Sequence, residues 1–141
     1  LLGNALRPKQ PYNLYLRQLQ LVGEGVAAAN ASSLAANNKV VAMAVTGDNA
    51  TLVANLTDLH GLGKKVTTIT QSNSGTSLAL SATQWVGQAS TLNKIVGGFS
   101  ATVSGVNAAK AQSVAADSRV KSLQVKDNAA NLSANIDALQ A

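Results

Sequence analysis

From Val120 to Ala141 the chain reads VKSLQVKDNAANLSANIDALQA, and the spacing of its apolar residues changes partway through. Val120, Leu123 and Val125 come first, the last two alternating across a polar residue as in a half-buried strand. Asp127 stops that run. Beyond it Ala130, Leu132, Ala134, Ile136 and Leu139 make an apolar stripe of helical spacing, and Asp127 or Asn128 is placed to cap the free N–H groups of the first turn. The segment therefore predicts a strand, a cap and a helix.

The same unit recurs eighty residues earlier without a gap, so that Gly25–Leu59 lies over Gly105–Leu139. Matched positions include Gly25/Gly105, Val26/Val106, Val40/Val120, Val45/Val125, Leu52/Leu132, Asn55/Asn135 and Leu59/Leu139, while Lys39/Arg119 and Met43/Leu123 keep their chemical type. Alanine bias does not produce matched Val, Leu, Asn and Gly at constant register. The chain is thus read as an internal repeat, which governs the fold expectation.

Taken in order, residues 1–18 fall outside the repeat. Pro8 and Pro11 break regular structure, Arg7, Lys9 and Arg17 make the stretch basic, and a capping or docking segment is expected. A first coil runs from Leu19 through a Gly23/Gly25 turn into a short helix over Val26–Asn37. A second uses Val40, Met43 and Val45 as strand, Asp48 or Asn49 as cap, and Thr51–His60 as helix. In the third, Val66–Thr70 and Ser77–Ser81 flank Ser72-Asn-Ser-Gly75, which predicts a hairpin-like elaboration. Ser81 or Thr83 then caps a helix bearing Trp85, Val86, Ala89, Leu92 and Ile95. The fourth has Phe99, Ala101 and Val103 as strand, a Gly105 turn and a helix over Asn107–Asp117, and the fifth is the stretch described first. One strand and one return helix per coil make successive strands parallel, with right-handed crossovers. The expected fold is α/β: a parallel-strand α/β solenoid of about five coils, with repeat I over 19–98 and a partial repeat II over 99–141.

Composition refines this picture. With 46% hydrophobic residues but few aromatics, the interior must be built of thin layers in which small side chains approach closely. The chain has no Cys, which excludes disulfides and thiolate metal sites. No run of eighteen apolar residues is present and no membrane span is expected. The chain starts at Leu1 and has no charged-then-apolar signal segment; it stops at Ala141 inside a predicted helix, which reads as a piece of a longer parent or a processed chain.

Val120-x-x-Leu123-x-Val125-x-x-Asn128 resembles the strand segment of a leucine-rich repeat, and Val40-x-x-Met43-x-Val45-x-x-Asp48 is a poorer match. A closer similarity over Leu19–Ala141 is to the tandem repeats of very large bacterial secreted and surface proteins, often type I-secreted and adhesin-like. In those, segments like Asp127-Asn-Ala-Ala-Asn-Leu-Ser-Ala-Asn-Ile-Asp-Ala-Leu follow strands like Val120-Lys-Ser-Leu-Gln-Val. The resemblance implies an extracellular or cell-surface protein engaged in surface structure, adhesion or assembly. The calcium-binding glycine- and aspartate-rich nonapeptide of many such proteins is absent, so no calcium site is implied.

Candidate chemistry is sparse. His60 is the only histidine and precedes Gly61 at a helix end, where it complements the dipole. No nucleophile elbow, phosphate loop or acid pair is present, and neither catalysis nor a cofactor is expected. Lys39, Lys64, Lys65, Lys94, Arg119 and Lys121 fall where helices return to strands, whereas Asp48 and Asp127 fall where helices begin. Stacked coils would gather these bases along one edge. They either complement helix dipoles or attract an anionic polymer such as surface polysaccharide, whereas specific nucleic-acid binding lacks its aromatic platform. The leading expectation is a non-enzymatic structural module that self-associates head to tail. The rivals are an adhesin-like binding module for glycan or another anionic polymer, and the repeat region of a larger secreted enzyme.

Overall fold

A computed structural model describes residues 19–141, so the capping or docking segment expected at 1–18 lies outside the described residues. The fold is α/β, and every strand pair in it is parallel. β1 (Leu21–Ala27), β2 (Val40–Gly47) and β3 (Val66–Gln71) form one three-stranded sheet in that order. β4 (Leu78–Ser81), β5 (Ala101–Val106) and β6 (Val120–Val125) form a second. Parallel neighbours need crossovers, and short helices supply them. α1 (Ala31–Ala35) joins β1 to β2, and α2 (Asn49–Ala54) with α3 (Leu56–Gly61) joins β2 to β3. α4 (Ala82–Gly87) and α5 (Ala89–Leu92) leave β4, α6 (Ala108–Ala115) joins β5 to β6, and α7 (Ala129–Ala134) with α8 (Ile136–Gln140) follows β6.

The alternation in the sequence decides which faces turn inward. β2 buries Val40, Met43 and Val45, β3 sets Val66 and Ile69 beside Met43 and Val45, and β4 adds Leu78 and Leu80. Leu52, Leu56, Leu59 and Leu92 close over them from the helices. Each such side chain, once fully buried, is worth about 1.5–3 kcal/mol of apolar transfer. Alanines, including Ala31, Ala101, Ala108 and Ala111, fill the closest approaches.

Strand pairs eighty residues apart hold the same register. Leu21 faces Val40 as Ala101 faces Val120, Gly23 faces Met43 as Val103 faces Leu123, and Val26 faces Val45 as Val106 faces Val125. Both pairs slip register just before Val26 and Val106, where Gly25 (φ 60°) and Gly105 (φ 75°) adopt the left-handed conformation that a side chain resists. The turns expected at these glycines are instead bulges inside continuous strands, because one extra residue in the left-handed region kinks a strand without ending it.

The expected hairpin is corrected too. β3 and β4 do not pair with each other; the chain passes between them from one sheet to the other. Asn49 fixes that passage from a buried position. Its backbone N–H donates to Asn73 Oδ1 (2.8 Å), its Nδ2 donates to the Thr76 carbonyl (2.7 Å), and its Oδ1 accepts from Gln71 Nε2 (2.6 Å). Further on, Ile95 bridges to Ile69 beside β3 before Gly97 and Gly98 return the chain to β5. The strands thus lie in two sheets rather than along one ladder.

Candidate functional site

Of the six cations that sequence places at helix-to-strand corners, where they could form a polymer-binding edge, most are engaged within the fold. Lys65 Nζ donates to the Ala35 carbonyl at the end of α1 (2.8 Å). Lys94 Nζ donates to the carbonyls of Gly63 (2.6 Å) and Val66 (2.7 Å). Arg119 Nη1 donates to Asn93 Oδ1 (2.9 Å). Each reaches back to the preceding corner, Lys65 and Lys94 to backbone carbonyls and Arg119 to a side-chain amide oxygen. Lys121 Nζ donates to the Ser118 carbonyl (3.1 Å), Lys39 is half-buried with its backbone N–H on Asn37 Oδ1 (2.9 Å), and Lys64 is exposed.

Arg119 is the best-held of the six. It is paired with Asp117 (2.7 Å), and its guanidinium lies 5.1 Å from the ring centres of both Trp85 and Phe99. The two rings meet edge to face at 6.4 Å. Hydrogen bonds from Arg119 hold the Asp117 carboxyl down at about 2. The aromatics are therefore part of a corner that locks α4, the approach to β5 and the start of β6 together.

The two acids have separate roles. Asp48 caps α2 by accepting from the Thr51 N–H (2.7 Å), and that bond lowers its pKa. Of the two residues placed to cap the helix after β6, Asp127 and Asn128, it is Asn128 that does so, accepting from the Asn131 N–H (2.8 Å), and not the Asp127 set beside Asp48 as a helix start. The reason is register: Val125 matches Val45, so Asn128 falls where Asp48 stands. Asp127 accepts instead from Asn131 Nδ2 (2.7 Å) and from the Ala108 N–H (3.0 Å) in the first turn of α6. It links one helix start to the previous one.

The layer of β6, α7 and α8 is the open feature of the molecule. Met43, Val45, Leu52, Leu56 and Leu59 around β2 are at most 3% exposed. Their counterparts Leu123, Val125, Leu132 and Leu139 are only half-buried, and Ile136 is 47% exposed. β6 pairs with β5 on one side and, among the described residues, with no strand on the other. At the opposite end of the other sheet, Leu21 and Val22 of β1 are also exposed.

Two polar features escaped sequence reasoning. The Asn49–Gln71 network has no local signature, since its partners are more than twenty residues apart. The helix breaks at Asn55 and Asn135 did have one, because both belong to the matched pairs. In each, Nδ2 donates to the carbonyl four residues back (2.8 Å), which ends one helix and begins another where a single helix was expected. Gln88 breaks the third helix pair and donates across to Thr57 Oγ1 (2.8 Å). His60 Nδ1 lies 3.0 Å from the Thr91 hydroxyl, a contact of the same inter-layer kind.

Among the described residues no group of three His, Asp or Glu side chains could hold a metal ion, and no helix is long and apolar enough to cross a membrane. No protein-family model matches the chain, and no curated protein and no solved structure matches it either. The resemblance to bacterial surface repeats therefore rests on the sequence pattern alone.

Proposed function

We propose that this chain is a non-enzymatic structural module of an extracellular bacterial protein, a leucine-rich-repeat-like α/β solenoid that builds a layer, stalk or filament. The observation that carries the reading is the pairing of residues eighty apart in identical strand register, with one set buried under the next layer and the other left half-open. Layers that recur by translation and are sealed only by their neighbours give quasi-one-dimensional proteins, whose ends must be covered or joined. The cations support the same reading, because Lys65, Lys94 and Arg119 bind each corner to the one before it. A polymer-gripping edge would have to work with cations already held by the fold, Lys64 apart.

In this reading the open layer at β6 and the β1 edge, unpaired among the described residues, sit at opposite ends, so contacts between copies run head to tail. Such heterologous contacts propagate into fibres unless they close into a ring. Negative-stain electron microscopy of the protein, with the intact mass measured in parallel, tests the proposal. Ordered filaments or sheets, dissolved by Leu123→Asp, are the expected result. A protein that stays monomeric and featureless at high concentration overturns it.

A further inference from the structure

We infer that the helix side of the molecule carries a binding cleft for a small amphiphile, an aliphatic chain with an anionic head. The cleft lies between α4 and α6, at the carboxyl ends of β4 and β5. It exists because the α4–α5 pair is held toward the preceding layer. Gln84 Nε2 donates to the Val53 carbonyl (3.4 Å) and Gln88 Nε2 to Thr57 Oγ1 (2.8 Å), which ties the pair to α2 and α3. On its other side, Trp85, Phe99 and Arg119 pack together near the start of β5. Near the end of β5, among the described residues, a space of about 290 Å³ stays open.

The walls are apolar and the rim donates. Ala82 and Val86 stand on the α4 side, Val114 on the α6 side, and Val106 makes the floor. Val106 and Val114 are buried, whereas Val86 is 63% exposed, a large apolar side chain beside an unfilled space. A Cβ on Gly105, next to Val106, would meet nothing within 4 Å. Thr83, Asn107 and Lys110 supply the polar groups. Asn107 Oδ1 accepts from the Lys110 N–H (3.1 Å), which leaves its Nδ2 without an acceptor among the described residues. The Lys110 ammonium has no acceptor among them either, and no acidic side chain lines the cleft. The repeat does not require this lysine, since Asn30 stands in its place eighty residues earlier. Apolar walls with a few donors and one unpaired cation at the rim suit an aliphatic body with an anionic head. At about 30 Å³ per water-sized atom the space takes on the order of ten non-hydrogen atoms, as in a carboxylate of about eight carbons. The inference is independent of the assembly proposal, because no residue of β1 or β6 lines the cleft.

Octanoate is the probe, titrated below its micelle range into the full chain and followed by amide chemical shifts. Saturable shifts at Ala82–Val86 and Gly105–Lys110, with a dissociation constant in roughly the millimolar range, are expected. Val86→Glu should weaken binding by about ten-fold or more, because it removes a wall and brings a like charge to the ligand. The exposure of Val86 lets that variant fold, which the same spectra verify. Lys110→Gln should weaken binding by about three- to ten-fold. Octyltrimethylammonium, with the same tail and a cationic head, should bind at least about ten-fold more weakly than octanoate. Absence of saturable shifts overturns the inference. So do shifts that spread to Val22 and Val96 and ignore Val86→Glu, because the tail then adheres to apolar surface at large. Octanoate binding unchanged by Lys110→Gln, or matched by octyltrimethylammonium, overturns it as well, because the cleft then selects no anion. Filament formation is scored separately: a monomeric chain that binds octanoate removes the assembly proposal and keeps this one.

Discussion

The layer of β2, α2 and α3 and the layer of β6, α7 and α8 share strand register, helix break and most apolar positions, yet they differ in what lies next to them. β3, β4, α4 and α5 follow the first, and its leucines are sealed. Among the described residues no strand follows the second in its sheet, and the corresponding side chains stay half-open. The difference separates two things that sequence patterns merge. Periodicity sets which side chains turn toward the next layer, while burial depends on whether that layer is present.

The largest effect is expected from truncating the same leucine in both places. Leu59→Ala should cost about 3 kcal/mol, since Leu59 is fully enclosed and a cavity remains after the change. Leu139→Ala should cost less than about 1 kcal/mol, because its site is open to water and collapses. Urea unfolding of the two variants gives both numbers. Equal costs would break the comparison and show that the β6 layer is covered in solution.

Asn49 comes next. Its counterpart in register is Ala129. Asn49→Ala should destabilise by about 1–3 kcal/mol, leaving the buried Gln71 amide and the Thr76 carbonyl without the side-chain partner while the backbone N–H bond to Asn73 is kept. Ala129→Asn should change stability by less than about 0.5 kcal/mol. Thermal melts of the pair suffice. A mild Asn49→Ala would mean that the passage between sheets is fixed by packing alone.

These cases show where the sequence was legible. The α/β class, the strands at Val40, Val66, Leu78, Ala101 and Val120 and the caps at Asp48 and Ser81 follow from spacing and local side-chain chemistry. The separation of β3 from β4 was not legible, since strand, turn and strand look alike whether or not the strands pair. What decides it is Asn49 meeting a turn more than twenty residues away. The cations were legible as a row of corner residues. Their partners were not, because neither the backbone carbonyls that Lys65 and Lys94 meet nor the distant Asn93 amide that Arg119 meets is marked as a partner in sequence. The cap after β6 was legible only as Asp127 or Asn128, because both have capping side chains; the register with Val45 selects Asn128.

Caps should be indifferent to what covers a layer, which gives a control. Asp48→Ala and Asn128→Ala each remove one side-chain acceptor from a helix N-terminus. Both should lower the urea midpoint by a similar, modest amount. A large gap between them would mean that the two layers differ in more than their neighbours.

The smallest effect concerns the corner that leads into β6. Asp117 Oδ1 accepts the Arg119 N–H (3.0 Å), as Asn37 Oδ1 accepts the Lys39 N–H in the first copy. The later corner has added a charge to the same geometry. Because the Asp117 pKa falls from 3.8 to about 2 on folding, its contribution is fully present above about pH 3.8 and is lost as pH falls toward 2. Asp117→Asn should keep the backbone bond, cost less than about 1 kcal/mol at neutral pH, and flatten the fall in melting temperature between pH 4 and 2. Some slope should persist, since Asp48 and Asp127 are also lowered by the N–H groups and amides they accept from. Melting curves of both proteins at pH 5 and pH 2 make the test. An unchanged slope would show that the charge at Asp117 does no more in the fold than the amide at Asn37.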